Sequence, residues 1–319
     1  MCLVTFNFEE ARTDAELKVR RFLSVGRPTW ALVEVTERCD FGCGYCYASA
    51  GRRGREMDMA LFKRLLDRLE GAGIWQVTLS GGEPLLHPGI VEIVREASDR
   101  GMVVHVCTNG YHLDRRMAGR LAGAGLSQVM VNLDSVHAAR HDGMRGREGS
   151  FLKAKEALGN AVRAGILAKS QTVVTRENVG ELEEIMALAR SLGVRRVSYG
   201  ELVQAGRSRE GFSGDYGRVL EDLAREAKWL GAASAESFDP HFQASRHLKV
   251  YGVPCPSGCG MILNIGAGGE VYYCVTHRRI LYNALHGDIN RHVQELKRYL
   301  KPRGFPATKC LARGVDPDG

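Results

Sequence analysis

From residue 30 onward the apolar positions follow two alternating periods. Short apolar or β-branched runs have the length and composition of buried strands: WALVEVT (Trp30–Thr36), WQVTLS from Trp75, MVVHVCT from Met102, SQVMVNLD from Ser127, AKSQTVVT from Ala168 and RRVSYGEL from Arg195. Between and after them lie segments with apolar residues at helical spacing. MDMALFKRLLDRLE starts behind Asp58 as an N-cap, HPGIVEIVREASDRG opens with a proline and closes at Gly101, and SFLKAKEALGNAVRAG takes Ser150 as its cap. LDRRMAGRLAGAG, VGELEEIMALARSLG and YGRVLEDLAREAKWLG complete the set.

Strand–helix units with crossovers of this length predict an α/β fold with a parallel sheet. Right-handed crossovers wind such a sheet into a barrel or a doubly wound layer. The chemically distinctive residues follow the strands: Cys39 after the first, Ser80 to Glu83 after the second, Thr108 to Gly110 after the third, Asp134 and Ser135 after the fourth. Carboxyl ends of strands are the functional face of a barrel. A dinucleotide-binding sheet needs a glycine fingerprint opening its first helix, and none is present. The expectation is a partial (β/α)6 TIM-like barrel. After about residue 235 the periodicity stops, and NIGAGGEVYYCV then reads as a β-hairpin around Gly268 and Gly269. The expected organisation is an N-terminal segment (1–27), a core (28–235) and a C-terminal unit (236–319) too small to stand without staples.

Composition adds modestly to this. Hydrophobic residues at 44% and charged residues at 25% are ordinary for a globular chain. The N-terminus has no signal-peptide pattern and no apolar run is long enough to span a membrane, so a cytoplasmic protein is expected. The formal charge of +7, with basic clusters at Arg52 to Arg55, around Arg195 and Arg207, and at His277 to Arg279, fits either a solvated surface or an anionic cofactor, substrate or partner. No nucleic-acid-binding module is recognisable.

The nine cysteines change the picture more. An odd number without a secretory signal points to metal rather than disulfides. Cys39-x3-Cys43-x2-Cys46 supplies three thiols and no neighbouring fourth ligand. Structural zinc wants four ligands, whereas soft thiolates also suit iron–sulfur clusters, and three of them leave one iron of a four-iron cube open. Gly42 and Gly44 let that loop fold tightly. Cys255, Cys259, Cys274 and Cys310 form a second set, enough for one cluster or one zinc. Cys2 and Cys107 read as a terminal and a core thiol.

These motifs carry a family resemblance. CDFGCGYC resembles the CxxxCxΦC signature of the radical S-adenosylmethionine (SAM) superfamily, with Tyr45 as its aromatic residue. SGGEP at Ser80 to Pro84, TNG at Thr108 to Gly110, VNLDS at Val131 to Ser135 and Arg145-Gly146 resemble its later motifs, over roughly residues 28 to 210. The resemblance implies that Cys39, Cys43 and Cys46 ligate three irons of a 4Fe–4S cluster whose fourth iron is chelated by SAM. Gly81, Gly82 and Glu83 would receive the methionine ammonium, Asn132 the ribose or carboxylate, and Arg145 the carboxylate. Tyr45, Asn109 and Asp134 complete the implied cofactor set; Asn109-Gly110 also reads as a plain turn, Glu83 as a turn residue and Asp134 as a helix N-cap. Cleavage of SAM by the reduced cluster would yield a 5′-deoxyadenosyl radical that abstracts a substrate hydrogen.

Cys259…Gly269…Cys274, and the segment from Asn283, resemble the start of a SPASM/Twitch auxiliary-cluster domain, shortened here to one second 4Fe–4S cluster on Cys255, Cys259, Cys274 and Cys310. The implied activity is that of a radical SAM oxidoreductase or maturase, with a peptide, protein or small-molecule substrate and an electron donor such as flavodoxin or ferredoxin. Tetrapyrrole tailoring and a GTP cyclase-like reaction are the alternatives; a non-catalytic iron–sulfur electron carrier is the alternative of another class. Only 38 residues precede Cys39, too few for a fused peptide-recognition domain, so a peptide would need a separate carrier or direct docking.

Overall fold

The computed structural model describes residues 3–6, 26–202, 205–208, 262–274 and 278–295. Its strands are β1 (Leu3–Phe6), β2 (Trp30–Thr36), β3 (Gln76–Gly81), β4 (Val103–Thr108), β5 (Gln128–Asn132), β6 (Leu167–Val174), β7 (Arg196–Glu201), β8 (Ile262–Ile265), β9 (Glu270–Tyr272) and β10 (Ile280–Asn283). They form one ten-stranded sheet in the order 1-7-6-5-4-3-2-8-9-10. From β7 through β2 to β8 every neighbour pair is parallel; β1 on β7, β9 on β8 and β10 on β9 are antiparallel. Strands β2 to β7 are neighbours in sequence order, so the chain winds in one direction, as in a barrel wall, and never reverses as in a doubly wound sheet. Among the described residues the sheet stays open, with β1 and β10 at its edges. This is the expected partial barrel.

The helices are α1 (Met59–Gly71), α2 (Ile90–Asp99), α3 (Arg115–Gly123), α4 (Ala138–Arg145), α5 (Ser150–Arg163) and α6 (Leu182–Ser191). Strand residues alternate between two faces. Val33, Val77, Leu79, Val106 and Val129 turn outward and are fully buried in one core with Phe62 and Leu66 of α1, Ile93 of α2, Leu121 of α3 and Leu158 of α5. Asp58 caps α1 by accepting from the Leu61 N–H at 2.7 Å, as predicted.

One local expectation needs correction. Ser150 does not cap the helix it opens: Gly149 holds the N-cap position with φ +75°, and the Asp142 carboxylate receives the Gly149 N–H, the Phe151 N–H and the Ser150 hydroxyl. Asp142 lies on α4, which the periodicity missed because HAARHDGMRG has too few apolar residues to mark a face. Bonds to the Asp142 side chain on α4, in place of the residue predicted as the cap, start α5.

The predicted hairpin at Gly268 and Gly269 joins β8 to β9. It does not stand apart from the main sheet, because β8 lies parallel beside β2. Arg278 adds a bidentate ion pair to Glu34 of β2 at 2.7 and 2.6 Å, and Arg55 reaches Glu270 at 2.5 Å. The predicted sixth helix, and Cys255, Cys259 and Cys310, lie outside the described residues. No helix among the described residues is long and apolar enough to cross a membrane.

Candidate active site

The chain leaves β2 into the cysteine loop, and the loop is held from several sides. The Cys39 N–H donates to Gly51 O at 2.6 Å and the Gly44 N–H to Met144 O at 3.3 Å. Phe41, Cys43 and Tyr45 pack with Met144, Val173 and Leu202 into a small apolar cluster of their own. Asp40 is tied across to the turn after β4: Asn109 Nδ2 donates to it at 3.2 Å and His112 Nε2 lies 3.0 Å away. Burial pushes the Asp40 carboxyl up, but the bonds from His112 and Asn109 outweigh this and leave it below its ordinary value; His112 is raised by the same contact.

The Ser80–Glu83 segment runs backbone to backbone against this loop. The Gly82 N–H donates to Thr36 O and the Glu83 N–H to Arg38 O, both at 2.7 Å. A Cβ on Gly81, where φ is +128°, would lie 2.0 Å from Thr36 O, and one on Gly82 would lie 2.1 Å from Arg38 O. Both glycines are therefore required by the contact with residues 36–38.

The two segments meet the ends of β4 to β6 around an open cavity. Of the residues predicted for the site, Cys39, Cys43, Cys46, Tyr45, Gly81, Gly82, Asn109, Asn132 and Arg145 all line it. Glu83 and Asp134 do not. Both side chains are fully buried behind the wall. Glu83 accepts from the Thr108 hydroxyl at 2.6 Å, the Asn109 N–H at 2.6 Å and the Leu85 N–H at 3.0 Å, so it pins the Thr108–Gly110 turn to the glycine segment. Asp134 accepts from Tyr45 Oη and from the Val173 N–H, and caps no helix; the N-cap position of α4 is His137.

Arg145 is almost wholly buried beside Tyr45, whose hydroxyl it contacts, and lies 3.5 Å from Asp134. Burial opposes its charge, but the groups around it, Asp134 among them, more than offset that and keep it cationic. Its Nε is buried without a hydrogen-bond partner, an unmet donor on a cation that lines the cavity. Among the described residues Cys39, Cys43, Cys46, Cys107 and Cys274 are free thiols. Burial pushes the Cys39 thiol up to about 12 and also raises Cys43, against the pull of Arg145. Neutral thiols are thus favoured in the free protein, and a metal centre bound there displaces protons. Among the described residues no three His, Cys, Asp or Glu side chains converge as they would around a single ion. A donor set of three thiols along one cavity wall suits iron and sulfide better than a hard cation.

Cys107 and Arg207 line the cavity although no sequence signal placed them there, and Thr108 of the predicted Thr108–Gly110 segment lines it too. Cys107 was read as a core thiol, and the signal for Thr108 was its place at the head of the Thr108–Gly110 turn. Arg207 stood in a basic cluster, with no spacing that singled it out.

Residues 33–189 match the Radical SAM superfamily. The mycofactocin maturase MftC of Mycolicibacterium smegmatis is 31% identical over 264 residues, which are 77% of this chain and 63% of that protein. The PqqA peptide cyclase of Gluconobacter oxydans is 31% identical over 258 residues, 77% of this chain and 70% of that protein. Among solved structures, Streptococcus suis SuiB bound to its precursor peptide SuiA superposes with a TM-score of 0.69 at 15% identity, over 88% of this chain and 69% of that one, a likeness of fold.

Proposed function

The chain belongs to the radical SAM superfamily, and on that premise we propose that it is a peptide maturase which holds a 4Fe–4S cluster and SAM in the strand-end cavity. One observation carries this reading: the three cysteines, Gly81-Gly82 and the cationic Arg145 line the same cavity. The cluster and SAM, when bound, supply reductive cleavage of SAM and a carbon radical able to take hydrogen from a substrate.

The residues divide the remaining work. Cys39, Cys43 and Cys46 supply the thiolates. The Gly81-Gly82 backbone, held in place by Thr36 and Arg38, offers the close approach that a methionine ammonium needs. The unpaired Nε of Arg145 suits the SAM carboxylate, and Asn132, at the end of β5, suits the ribose. Tyr45 does not donate to a ligand in this reading: its hydroxyl is bound to Asp134, and it orients Arg145. Glu83 shapes the cavity indirectly by fixing Asn109 and the glycine segment.

The peptide substrate is supported by the names of the relatives, a maturase and a peptide cyclase. The chain spans 63% of the former's length. Also part of the proposal are an auxiliary cluster in the unit 236–319, an electron donor of the flavodoxin or ferredoxin type, and net substrate oxidation. For the auxiliary cluster the described support is Cys274, buried at the end of the strand pair that joins β2.

The test is anaerobic reconstitution followed by reduction with SAM present. The reading expects 5′-deoxyadenosine from the wild type and none above background from Cys43→Ala. It also expects the yield to rise with a small precursor-type peptide and not with a porphyrin or GTP. Reduced, cluster-loaded protein that never cleaves SAM would overturn it, and a response to porphyrin alone would replace the peptide assignment.

A further inference from the structure

The turn after β7 does something for the cysteine loop that no motif assigns. Arg207 reaches three of the loop's carbonyls. Its backbone N–H donates to Cys46 O at 3.1 Å, its Nε to Cys43 O at 2.9 Å and its Nη1 to Ala50 O at 2.8 Å. These acceptors span the loop from the second proposed ligand to beyond the third. The approach depends on the preceding glycine: a Cβ on Gly206, where φ is +59°, would lie 2.5 Å from both Cys46 O and Tyr47 O. The turn is closed on itself by Ser208 Oγ, which accepts from the Ala205 N–H at 2.9 Å. Leu202, just before it, packs in the same cluster as Cys43 and Tyr45. Arg207 also lines the cavity together with the three cysteines, so its charge lies near whatever they hold.

We propose that Arg207 is the positioning residue of the three-cysteine loop, and that its charge, brought to the cavity by the Gly206 contact, biases the cluster held there toward the reduced state. The proposal rests on the cluster assignment above. A planar fork is needed for the two side-chain bonds, and lysine cannot reproduce it although it keeps the charge. A cation beside an iron–sulfur cluster stabilises the reduced, more negative form. The two contributions can therefore be separated by substitution.

Two readouts test it, neither of them turnover. In the metal-free protein, hydrogen exchange across residues 43–50 should be about tenfold or more faster in both Arg207→Lys and Arg207→Met, since each loses the two side-chain bonds. In the reconstituted protein, with iron content as the control, the midpoint potential should move to a more negative value in Arg207→Met and stay near the wild type in Arg207→Lys. Should Arg207→Met fail to fold by circular dichroism, Gly206→Ala takes its place: it displaces the arginine without removing charge and should alter both readouts. Wild-type exchange and wild-type potential in a folded Arg207→Met, or in Gly206→Ala, would overturn the proposal. A wild-type chain that takes up no cluster would overturn the assignment on which it rests, and that outcome is distinct because it appears before any variant is compared.

Discussion

Along β3, Val77 and Leu79 turn toward the helices, while Gln76, Thr78 and Ser80 turn the other way. Both sets are buried, but they are buried differently. The outward set joins one apolar core with α1 and α2, and similar residues recur on β2, β4 and β5. The inward set is met across the strands by Glu34 on β2 and by His105 on β4. Away from the cavity some of these polar groups pair with one another: Gln76 Nε2 lies 3.2 Å from His105 Nδ1, and Arg196 donates to Gln128 at 3.0 Å. At the cavity end, Arg145 lines the wall beside the three cysteines, with its Nε buried and without a hydrogen-bond partner. One face of the wall folds the protein, and the other holds a polar interior that ends in a binding site.

That contrast breaks most visibly on the apolar side. Leu79→Ala removes a fully buried side chain from the core and should cost about 2–5 kcal/mol of stability. Chemical denaturation reads the loss, and SAM affinity per folded molecule should stay close to wild type. Glu83→Ala should be intermediate. It orphans the buried N–H groups of Asn109 and Leu85 and the Thr108 hydroxyl, a loss of about 2–4 kcal/mol. Unlike Leu79→Ala it should also weaken SAM binding, because the Asn109 turn and the glycine segment lose their pin; calorimetric titration of the cluster-loaded variant separates the two.

A pH dependence should follow from His141, which is buried behind the site and accepts from the Asp134 N–H. Burial lowers its folded pKa from 6.5 to about 4. Between those values the unfolded chain binds a proton that the folded one refuses, so stability falls as pH falls. At pH 5 the loss is about 2 kcal/mol relative to pH 7.5. His141→Gln should reduce the slope of this limb of the melting-temperature profile without abolishing it, because burial also lowers His292 to about 4; an unchanged slope would remove His141 as a source. The smallest effect belongs to the exterior. Arg100→Ala, which removes contacts to Asp67 and Glu96, should cost about 0.2–1 kcal/mol and leave the cavity untouched.

The two faces also differed in how legibly the sequence announced them. The strands from residue 30 to residue 202 and the helices with a clear apolar stripe were readable, because burial against a sheet imposes a period on the chain. The position of the three cysteines, the glycine pair and Asn109 was readable because each follows a strand. What Asp142 and Arg207 contribute was not: each acts through one side chain that gathers several bonds, Asp142 at the start of α5 and Arg207 on the cysteine loop, and contacts of that kind leave no periodic trace. Glu83 shows a subtler limit. Its importance was visible, but a carboxylate that grips backbone N–H groups and one that grips a ligand look the same in a motif. Likewise β8, read as part of a separate unit, becomes a neighbour of β2 through pairings that no local pattern encodes.

In the proposed assignment the Cys39, Cys43 and Cys46 loop alone carries the centre that binds SAM. Electron paramagnetic resonance of the reduced, reconstituted protein, with and without SAM, tests it most directly in two variants. In Cys255→Ala/Cys259→Ala/Cys310→Ala a reduced-cluster signal should remain and should change when SAM is added. In Cys39→Ala/Cys43→Ala/Cys46→Ala any remaining signal should be indifferent to SAM. A SAM-dependent change that survives the loss of Cys39, Cys43 and Cys46 would contradict the account.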